Sequence, residues 1–252
     1  MGNADGRSAD STVGNMSTAA TDPASGDEAA RRQALLSAQS HAVELFDTVV
    51  ARGLIAPGRT EKEVSADVRD LANELFDVRK FWHKRIVRAG ANTLAPYDEN
   101  PTERIIGDDD IVFLDFGPIF EDWEADFGRT YVLGSDPRKI ALRDALEPLW
   151  HRGRAYFEAT PDVTGEDMYH YMCTLARDVG WTFGSPIAGH LVGEFPHEKI
   201  AGDKISSYIA PGSTSPMRRP DQAGRQCHWI LEIHLTDPDA EIGGFFEQLL
   251  DI

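Results

Sequence analysis

Acidic residues stand inside apolar, strand-like segments at four places in this chain of 252 residues. The segments are IVFLDF with Asp115, EADFG with Asp126, WILEIHL with Glu232 and FFEQLL with Glu247. Burying an ionised carboxylate is costly unless a cation or hydrogen-bond donors accompany it. Any fold that buries these segments must therefore bring positive charge to four carboxylates.

The first two carboxylates belong to a predicted β-hairpin. Apolar, β-branched stretches at 111–116 and 125–133 flank a connection that contains Gly117 and Pro118. Antiparallel pairing about a midpoint near residues 120 and 121 predicts that Asp115 lies opposite Asp126, with Cβ atoms about 5 Å apart. Like charges in that position destabilise a sheet, so the pattern calls for a cation between them, either an Arg or Lys from elsewhere or a metal ion.

Histidines in a glycine-rich segment favour the metal ion. GHLVGEFPH contains His190 and His197, seven residues apart, and is typical of a strand that leads into a loop. Hard carboxylate ligands together with an imidazole suit divalent manganese, iron, cobalt or zinc. The residues alone also allow two structural interpretations. A glutamate in a strand is often at a sheet edge, and His197 is also typical of a surface loop.

The remaining pattern predicts an α+β domain. A helix is expected from Arg31 to Gly53, and a capping box formed by Thr60 and Glu63 starts a second one. Further helices are expected over 138–157 and 165–179, and further strands over 84–88, 187–192, 228–235 and 245–252.

An internal repeat relates two parts of the chain. The segment that begins at Pro57 recurs at Pro161, an offset of 104 residues, and the apolar positions after the two helix starts match. Each copy is preceded by a helix and followed by strands. The repeat predicts two structurally similar helix–helix–strand halves within one domain.

Composition excludes several classes of function. Residues 1–30 hold no aromatic side chain and are predicted to form a disordered tail, which leaves 31–252 as the folded domain. The net charge of −17 argues against a nucleic-acid partner and against binding to anionic lipid. No apolar run reaches membrane-spanning length, no secretory signal is recognisable, and two cysteines make no disulfide framework, so a cytoplasmic location is expected.

The order Asp115, Asp126, His190, Glu232, Glu247 resembles the ligand set of the methionine aminopeptidase, aminopeptidase P and creatinase superfamily, the pita-bread metallopeptidases. The motifs that carry the resemblance are LDFGP, ADFGRTYVLG, GHLVGEFPH, WILEIHL and PGRTEKEV, and it covers roughly residues 31–252. The resemblance implies two pseudo-symmetric halves around a curved antiparallel sheet. Such a fold would explain the internal repeat.

The resemblance also implies a role for each ligand. Asp115 would chelate one of two divalent ions, Asp126 and Glu247 would bridge both, and His190 and Glu232 would complete the second. The ions would be manganese, cobalt, zinc or iron, and their shared hydroxide would be the nucleophile. Glu232 would move the proton of that water, and His197 would donate a hydrogen bond to the substrate carbonyl.

The chain departs from the family at the substrate side. Peptidases of this superfamily carry a further histidine on an upstream loop, whereas the corresponding residues 88–100 contain none. Tyr97 or Asp98 would then line the pocket, or His83 would reach in. Isoleucine replaces the usual proline after Glu232, so His234 becomes a candidate substrate contact, with a hydrogen-bonded structural role as the alternative.

These features favour a metal-dependent hydrolase that cleaves a peptide or amide bond in a small, dipeptide-like or Xaa-Pro substrate. A non-peptidase enzyme acting on a small metabolite, as creatinase and a lyase of this fold do, is the alternative, followed by a pseudoenzyme that only binds. The chain is expected to be too short for the separate N-terminal domain of aminopeptidase P. The resemblance leaves monomer, homodimer and tetramer open.

Overall fold

A computed structural model describes residues 1–2, 23–196, 204–221 and 223–252. Within these ranges the chain forms four α-helices and nine β-strands. The helices are α1 (Pro23–Ala51), α2 (Glu61–Phe76), α3 (Pro137–Ala159) and α4 (Gly165–Asp178). The strands are β1 (Ile86–Ala89), β2 (Ile111–Phe116), β3 (Ile119–Phe120), β4 (Trp123–Glu124), β5 (Phe127–Val132), β6 (Thr182–Phe183), β7 (Gly189–Val192), β8 (His228–Asp237) and β9 (Ile242–Leu249).

Antiparallel pairing joins seven of these strands into one sheet. Its order is β1-β2-β5-β9-β8-β6, and β7 also pairs with β8, while β3 and β4 form a separate ribbon. The pair β5–β9 forms the centre of the sheet. Strands β2 and β1 follow β5 on one side, and β8 with β7 follows β9 on the other. The predicted α+β class is confirmed, and the sheet carries one half of the repeat on each side of its centre.

The two halves begin with equivalent helix starts. Thr60 caps α2 and Thr164 caps α4, each in a capping box whose acidic partner is Glu63 or Asp167. Each box satisfies two backbone N–H groups that would otherwise lack partners at a helix start. The buried residues that follow come at matching positions, and the predicted repeat is confirmed. They are Val64, Val68 and Leu71 in α2, and Met168, Met172 and Leu175 in α4.

The first helix begins earlier than its apolar pattern predicts. Residues 23–30, assigned by composition to a disordered tail, belong to α1. A polar contact anchors this extension: Glu28 pairs with Arg31 and lies 2.7 Å from Nε2 of the buried His228. Composition counts apolar side chains and cannot anticipate a contact with a residue 200 positions away. Residues 3–22 of the expected tail lie outside the described part of the chain.

The register of the β2–β5 hairpin also differs from the prediction. Asp115 pairs with Gly128, and not with Asp126 as the assumed midpoint implies. The chain reverses at residues 121–122, with Glu121 in the left-handed region at a φ of 57°. This moves the midpoint by one residue and the register by two. Because side chains alternate with a period of two, the shift leaves the strand faces unchanged.

No helix among the described residues combines the length and the apolar character that are needed to cross a membrane.

Candidate metal centre

Cross-strand pairing brings three of the four strand carboxylates into one row. Asp115 pairs with Gly128, Gly128 with Glu247, and Glu247 with Glu232, so these positions share one face of the sheet. Gly128 leaves the space that the row needs, because a Cβ atom there would lie 2.5 Å from the Phe245 ring. The sheet thus holds the carboxylates around a position without a side chain.

Asp126, just before β5, is the centre of the cluster. Its Oδ1 lies 3.0 Å from Nε2 of His83, and its Oδ2 lies 3.0 Å from Nε2 of His190. Asp115 Oδ1 is 3.4 Å from the same His83 nitrogen, and Glu247 Oε1 is 3.8 Å from that of His190. The donor atoms form two groups that share Asp126, one with His83 and Asp115, the other with His190 and Glu247.

Burial makes this concentration of negative charge costly. The side chains of Asp126 and Glu247 are 3% and 2% exposed. Burial raises the pKa of Asp115 and of Glu232 to about 7, and burial together with the neighbouring carboxylates raises the pKa of Glu247 well above its ordinary value. The protein alone therefore does not supply enough positive charge to keep all the carboxylates ionised near neutral pH.

The pKa values of the two histidines are raised as well, which in a histidine favours the charged form. Burial disfavours their charged form, but Asp126 and Asp115 outweigh burial at His83 and raise its pKa to about 9. Asp126 and Glu232 have the same effect on His190, whose pKa is also raised to about 9. Burial alone would raise the pKa of Asp126, yet the two imidazoles lower it below its ordinary value.

The donor set fits divalent cations. Among the described residues, Oε2 of Glu247 is a buried oxygen that finds no hydrogen-bond partner. A buried acceptor without a donor costs about 1–3 kcal/mol, and a cation would remove that cost. Carboxylate oxygens with imidazole nitrogens are ligands for manganese, iron, cobalt or zinc. Two divalent cations in the two donor groups would carry four positive charges, which would balance the negative charges of the four carboxylates.

The structure brings together the five residues that the sequence singled out as ligands. Asp115, Asp126, His190, Glu232 and Glu247 line one cavity of about 670 Å³. Their individual roles toward a metal stay predictions.

The candidate substrate contacts fall into different places. Tyr97 is half exposed and lines the same cavity, where its ring centroid lies 6.0 Å from that of His83. His234 also lines the cavity but is 3% exposed, and its Nε2–H donates to Thr93 O at 2.7 Å, the hydrogen-bonded alternative. His83 lines the cavity too, yet its Nε2 faces two carboxylates. His197 lies outside the described residues.

Arg88 is a residue of this cavity that the sequence analysis missed. It lies in β1, is 4% exposed, lines the cavity, and within the described part of the chain donates a hydrogen bond to Glu99 O. Glu61 holds the end of β1 in place by accepting from the Ala89 N–H at 2.7 Å. The signal was available: a charged residue inside the apolar strand segment IVRA, as for the carboxylates.

Comparison with known proteins assigns the family. The sequence profile of the metallopeptidase family M24 matches residues 33–221, and the chain belongs to that family. The match includes Asp115, Asp126 and His190, whereas Glu232 and Glu247 follow the matched segment and reach the cluster through β8 and β9. A comparison with curated protein sequences found no match.

Solved structures share the fold. A dipeptidase PepE from Mycobacterium ulcerans has a TM-score of 0.67 at 24% identity, over 88% of this chain and 55% of that one. A dipeptidase from Pyrococcus horikoshii OT3 has 0.66 at 23%, over 85% and 55%. An Xaa-Pro dipeptidase from Bacillus anthracis has 0.68 at 20%, over 86% and 56%. The chain thus spans little more than half the length of each, and the predicted pita-bread fold is confirmed.

Proposed function

We propose that residues 31–252 form a catalytic domain that uses two divalent metal ions to hydrolyse a peptide or amide bond in a small substrate. The observation that carries this proposal is the position of Asp126, whose two carboxylate oxygens face different imidazoles in two donor groups. A carboxylate shared in this way suits a bridge between two cations. The membership of a metallopeptidase family supports the same conclusion.

Each ligand then has a defined task. Asp115 would hold one ion, Asp126 and Glu247 would bridge the pair, and His190 and Glu232 would complete the second. Bound divalent cations polarise a carbonyl group and lower the pKa of water toward neutrality, which makes hydroxide available as the nucleophile. The donor set accepts manganese, cobalt, zinc or iron, and availability would decide among them.

Glu232 is suited to proton transfer within this arrangement. Its carboxylate is buried and lines the cavity beside the two donor groups. A carboxylate held next to the attacking water is placed to accept its proton and to return it. We propose that Glu232 takes the proton from the attacking water and delivers it to the leaving amine.

Arg88 indicates the kind of substrate. Its guanidinium group is buried in the cavity wall on β1, the neighbour of the strand that carries Asp115. Guanidinium binds carboxylate strongly and in a fixed orientation. A cavity of about 670 Å³ has room for a dipeptide-sized molecule. We propose a dipeptide-type substrate whose terminal carboxylate binds to Arg88, with Tyr97 at the mouth.

A second candidate is hydrolysis of a small metabolite amide or amidine. The observation in its favour is the loop that follows β1, where Tyr97 occupies the cavity wall and residues 88–100 contain no histidine. That loop carries a substrate-contacting histidine in peptidases of the superfamily that the sequence resembles. A different contact at the scissile bond would suit a different carbonyl compound.

The test combines metal content with a substrate panel. The purified chain, loaded with manganese, cobalt, zinc or iron(II), is assayed on dipeptides, Xaa-Pro peptides, peptides with N-terminal methionine, and small amides and amidines. Asp126→Ala should lose hydrolysis and bound metal together, because both donor groups lose their shared ligand. Asp144→Ala, an exposed acid on α3, serves as the control. Metal-free Asp126→Ala protein with full activity would refute the proposal.

A further inference from the structure

His83 repeats the arrangement of His190 in detail. Nδ1 of His83 lies 2.7 Å from the backbone oxygen of Lys84, and Nδ1 of His190 lies 2.8 Å from that of Leu191. A carbonyl oxygen only accepts, so in both rings Nδ1 carries the proton. In the neutral ring Nε2 then presents its lone pair, and in both cases it points at Asp126. Proteins commonly orient a metal-binding histidine by a hydrogen bond from its other ring nitrogen to a backbone carbonyl oxygen.

Each half of the molecule contributes one of the two histidines. His83 lies just before β1, which pairs with β2 and its Asp115; His190 lies in β7, which pairs with β8 and its Glu232. The third strand of each half supplies the next carboxylate, Asp126 before β5 and Glu247 in β9. Each half therefore contributes one imidazole and two carboxylates to the polar cluster, although the two histidines stand at different register positions in their halves.

We infer that His83 is a direct ligand of the metal ion that Asp115 and Asp126 hold, so that each of the two ions has one imidazole ligand. The inference rests on the two-metal site proposed above but not on peptide hydrolysis. The ligand set implied by the family resemblance contains a single histidine, and no ligand role for residue 83 follows from it.

The distances agree with direct ligation. Donor atoms about 2.1 Å from one cation are separated by about 3.0 Å at a right angle and by about 3.4 Å at the tetrahedral angle. The separations of His83 Nε2 from Asp126 Oδ1 and Asp115 Oδ1 are 3.0 Å and 3.4 Å. The observed separations therefore match those of donor atoms that share one cation.

The surroundings of His83 are built to hold its ring. A Cβ atom on Gly117 would lie 2.3 Å from Cδ2 of His83 and 2.3 Å from Nε1 of Trp82, so only glycine leaves both rings their space. The indole of Trp82 contacts both imidazoles, with ring centroids 4.5 Å from His83 and 5.1 Å from His190. The side chain of His83 is 5% exposed and faces the carboxylates within this packing.

A second imidazole changes which metal the site prefers. Imidazole ligands favour zinc, iron and cobalt, whereas carboxylate ligands suit manganese and magnesium as well. With one imidazole on each ion, the chain should select zinc or cobalt over manganese more strongly than a site with a single histidine. His83→Gln should therefore weaken zinc binding more than manganese binding.

Nuclear magnetic resonance distinguishes ligation from hydrogen bonding. The full chain, labelled with nitrogen-15 histidine, is loaded with cadmium-113, which splits the signal of any directly bonded nitrogen. We expect two split Nε2 signals in the wild type, one in His83→Gln and two in His151→Gln, an exposed histidine on α3. Zinc titration should show that the affinity of one site falls at least 10-fold in His83→Gln. Loss of a residue that only hydrogen-bonds to a ligand already lowers metal affinity by about 10-fold or more, so loss of a direct ligand should cost at least as much.

The outcomes separate the two proposals. One split signal in the wild type overturns the ligand role of His83 and leaves the two-metal hydrolase standing, because the imidazole then only hydrogen-bonds the carboxylates. This result is read from the wild-type protein, so it does not depend on the folding of the variant. Failure to bind either zinc or cadmium overturns both proposals.

Discussion

At the scale of single residues, the cluster depends on charges that the chain by itself does not balance. Asp126 has an imidazole at each oxygen, but Asp115, Glu232 and Glu247 have raised pKa values because burial and mutual repulsion disfavour their ionised forms. A cation is worth most where water is excluded. Buried carboxylates of this kind favour a bound cation more strongly than acidic residues on the protein surface do.

Arg88 can be tested against substrates that differ only in charge. Arg88→Met should raise KM for a dipeptide by about 10–100-fold, since a charge-assisted hydrogen bond contributes about 1.5–3 kcal/mol. The same dipeptide with an amidated terminus should be unaffected. Steady-state kinetics on both substrates measures the difference, and Arg154→Met, on the exposed face of α3, is the control. Equal losses on both substrates would exclude a carboxylate-binding role.

Gly117 can be tested without removing any donor. Gly117→Ala places a methyl group where the rings of His83 and Trp82 lie, so His83 must move away from Asp126. We expect weaker zinc binding by titration calorimetry and a loss of about 1–3 kcal/mol in unfolding free energy from overpacking. Gly107→Ala is the matched control, because its nearest contact would be an ordinary 3.4 Å. Unchanged zinc affinity in Gly117→Ala would contradict the placement of His83.

Residue-level signals identified part of the cluster in advance. Four ligand candidates stood out because a carboxylate within an apolar strand is conspicuous, and Arg88 had the same signature without being noticed. His83 stands in the short segment FWHKR, where two aromatic residues precede three basic ones and no periodic apolar pattern marks a buried position. Its burial comes from Trp82 and Gly117, and nothing in the local sequence indicates that packing.

At the scale of elements, helices were the most predictable part of the chain. The starts of α2 and α4 follow from capping boxes, which are local contacts between residues three positions apart. Strands β2 and β8 were placed well because they are long apolar runs. The register between β2 and β5 was not, because it depends on the conformation of a two-residue turn.

The two caps should contribute equally to stability. Thr60→Ala and Thr164→Ala each remove the side-chain acceptor of a backbone N–H and should each lower the free energy of unfolding by about 1 kcal/mol. Urea unfolding followed by circular dichroism measures this change. Ser65→Ala, inside α2, is the control and should be neutral or slightly stabilising, since alanine favours helix. A large asymmetry between the two caps would argue against equivalent halves.

At the scale of the whole molecule, the cluster couples stability to pH. Without metal, the native state holds protons on His83 and His190 up to about pH 9, and on Asp115 and Glu232 up to about pH 7. The unfolded chain releases these protons near pH 6.5 and pH 4. Between about pH 5 and pH 9 the native state therefore binds more protons than the unfolded state.

Stability of the metal-free protein should accordingly fall as pH rises through that range. Thermal unfolding at pH 5.5, 7 and 8.5 in the presence of a chelator measures the trend. Zinc or manganese should raise Tm most at the highest pH, where the metal has the fewest ligand protons to displace. Glu247→Gln, which removes one buried carboxylate, should show a shallower trend. A metal-free Tm that rises steadily with pH would contradict this account.

The sequence by itself determined the α+β class, the starts of α2 and α4, the internal repeat and the carboxylates that need a cation, because each of these is a property of contiguous or regularly spaced residues. Only the tertiary structure decided which atoms meet. The row from Asp115 through Gly128 to Glu247 depends on strand register across the sheet, and the approach of His83 to Asp126 depends on packing between distant segments. Such contacts are set by turn geometry and by the space that glycines leave, and neither follows from the local pattern of residues.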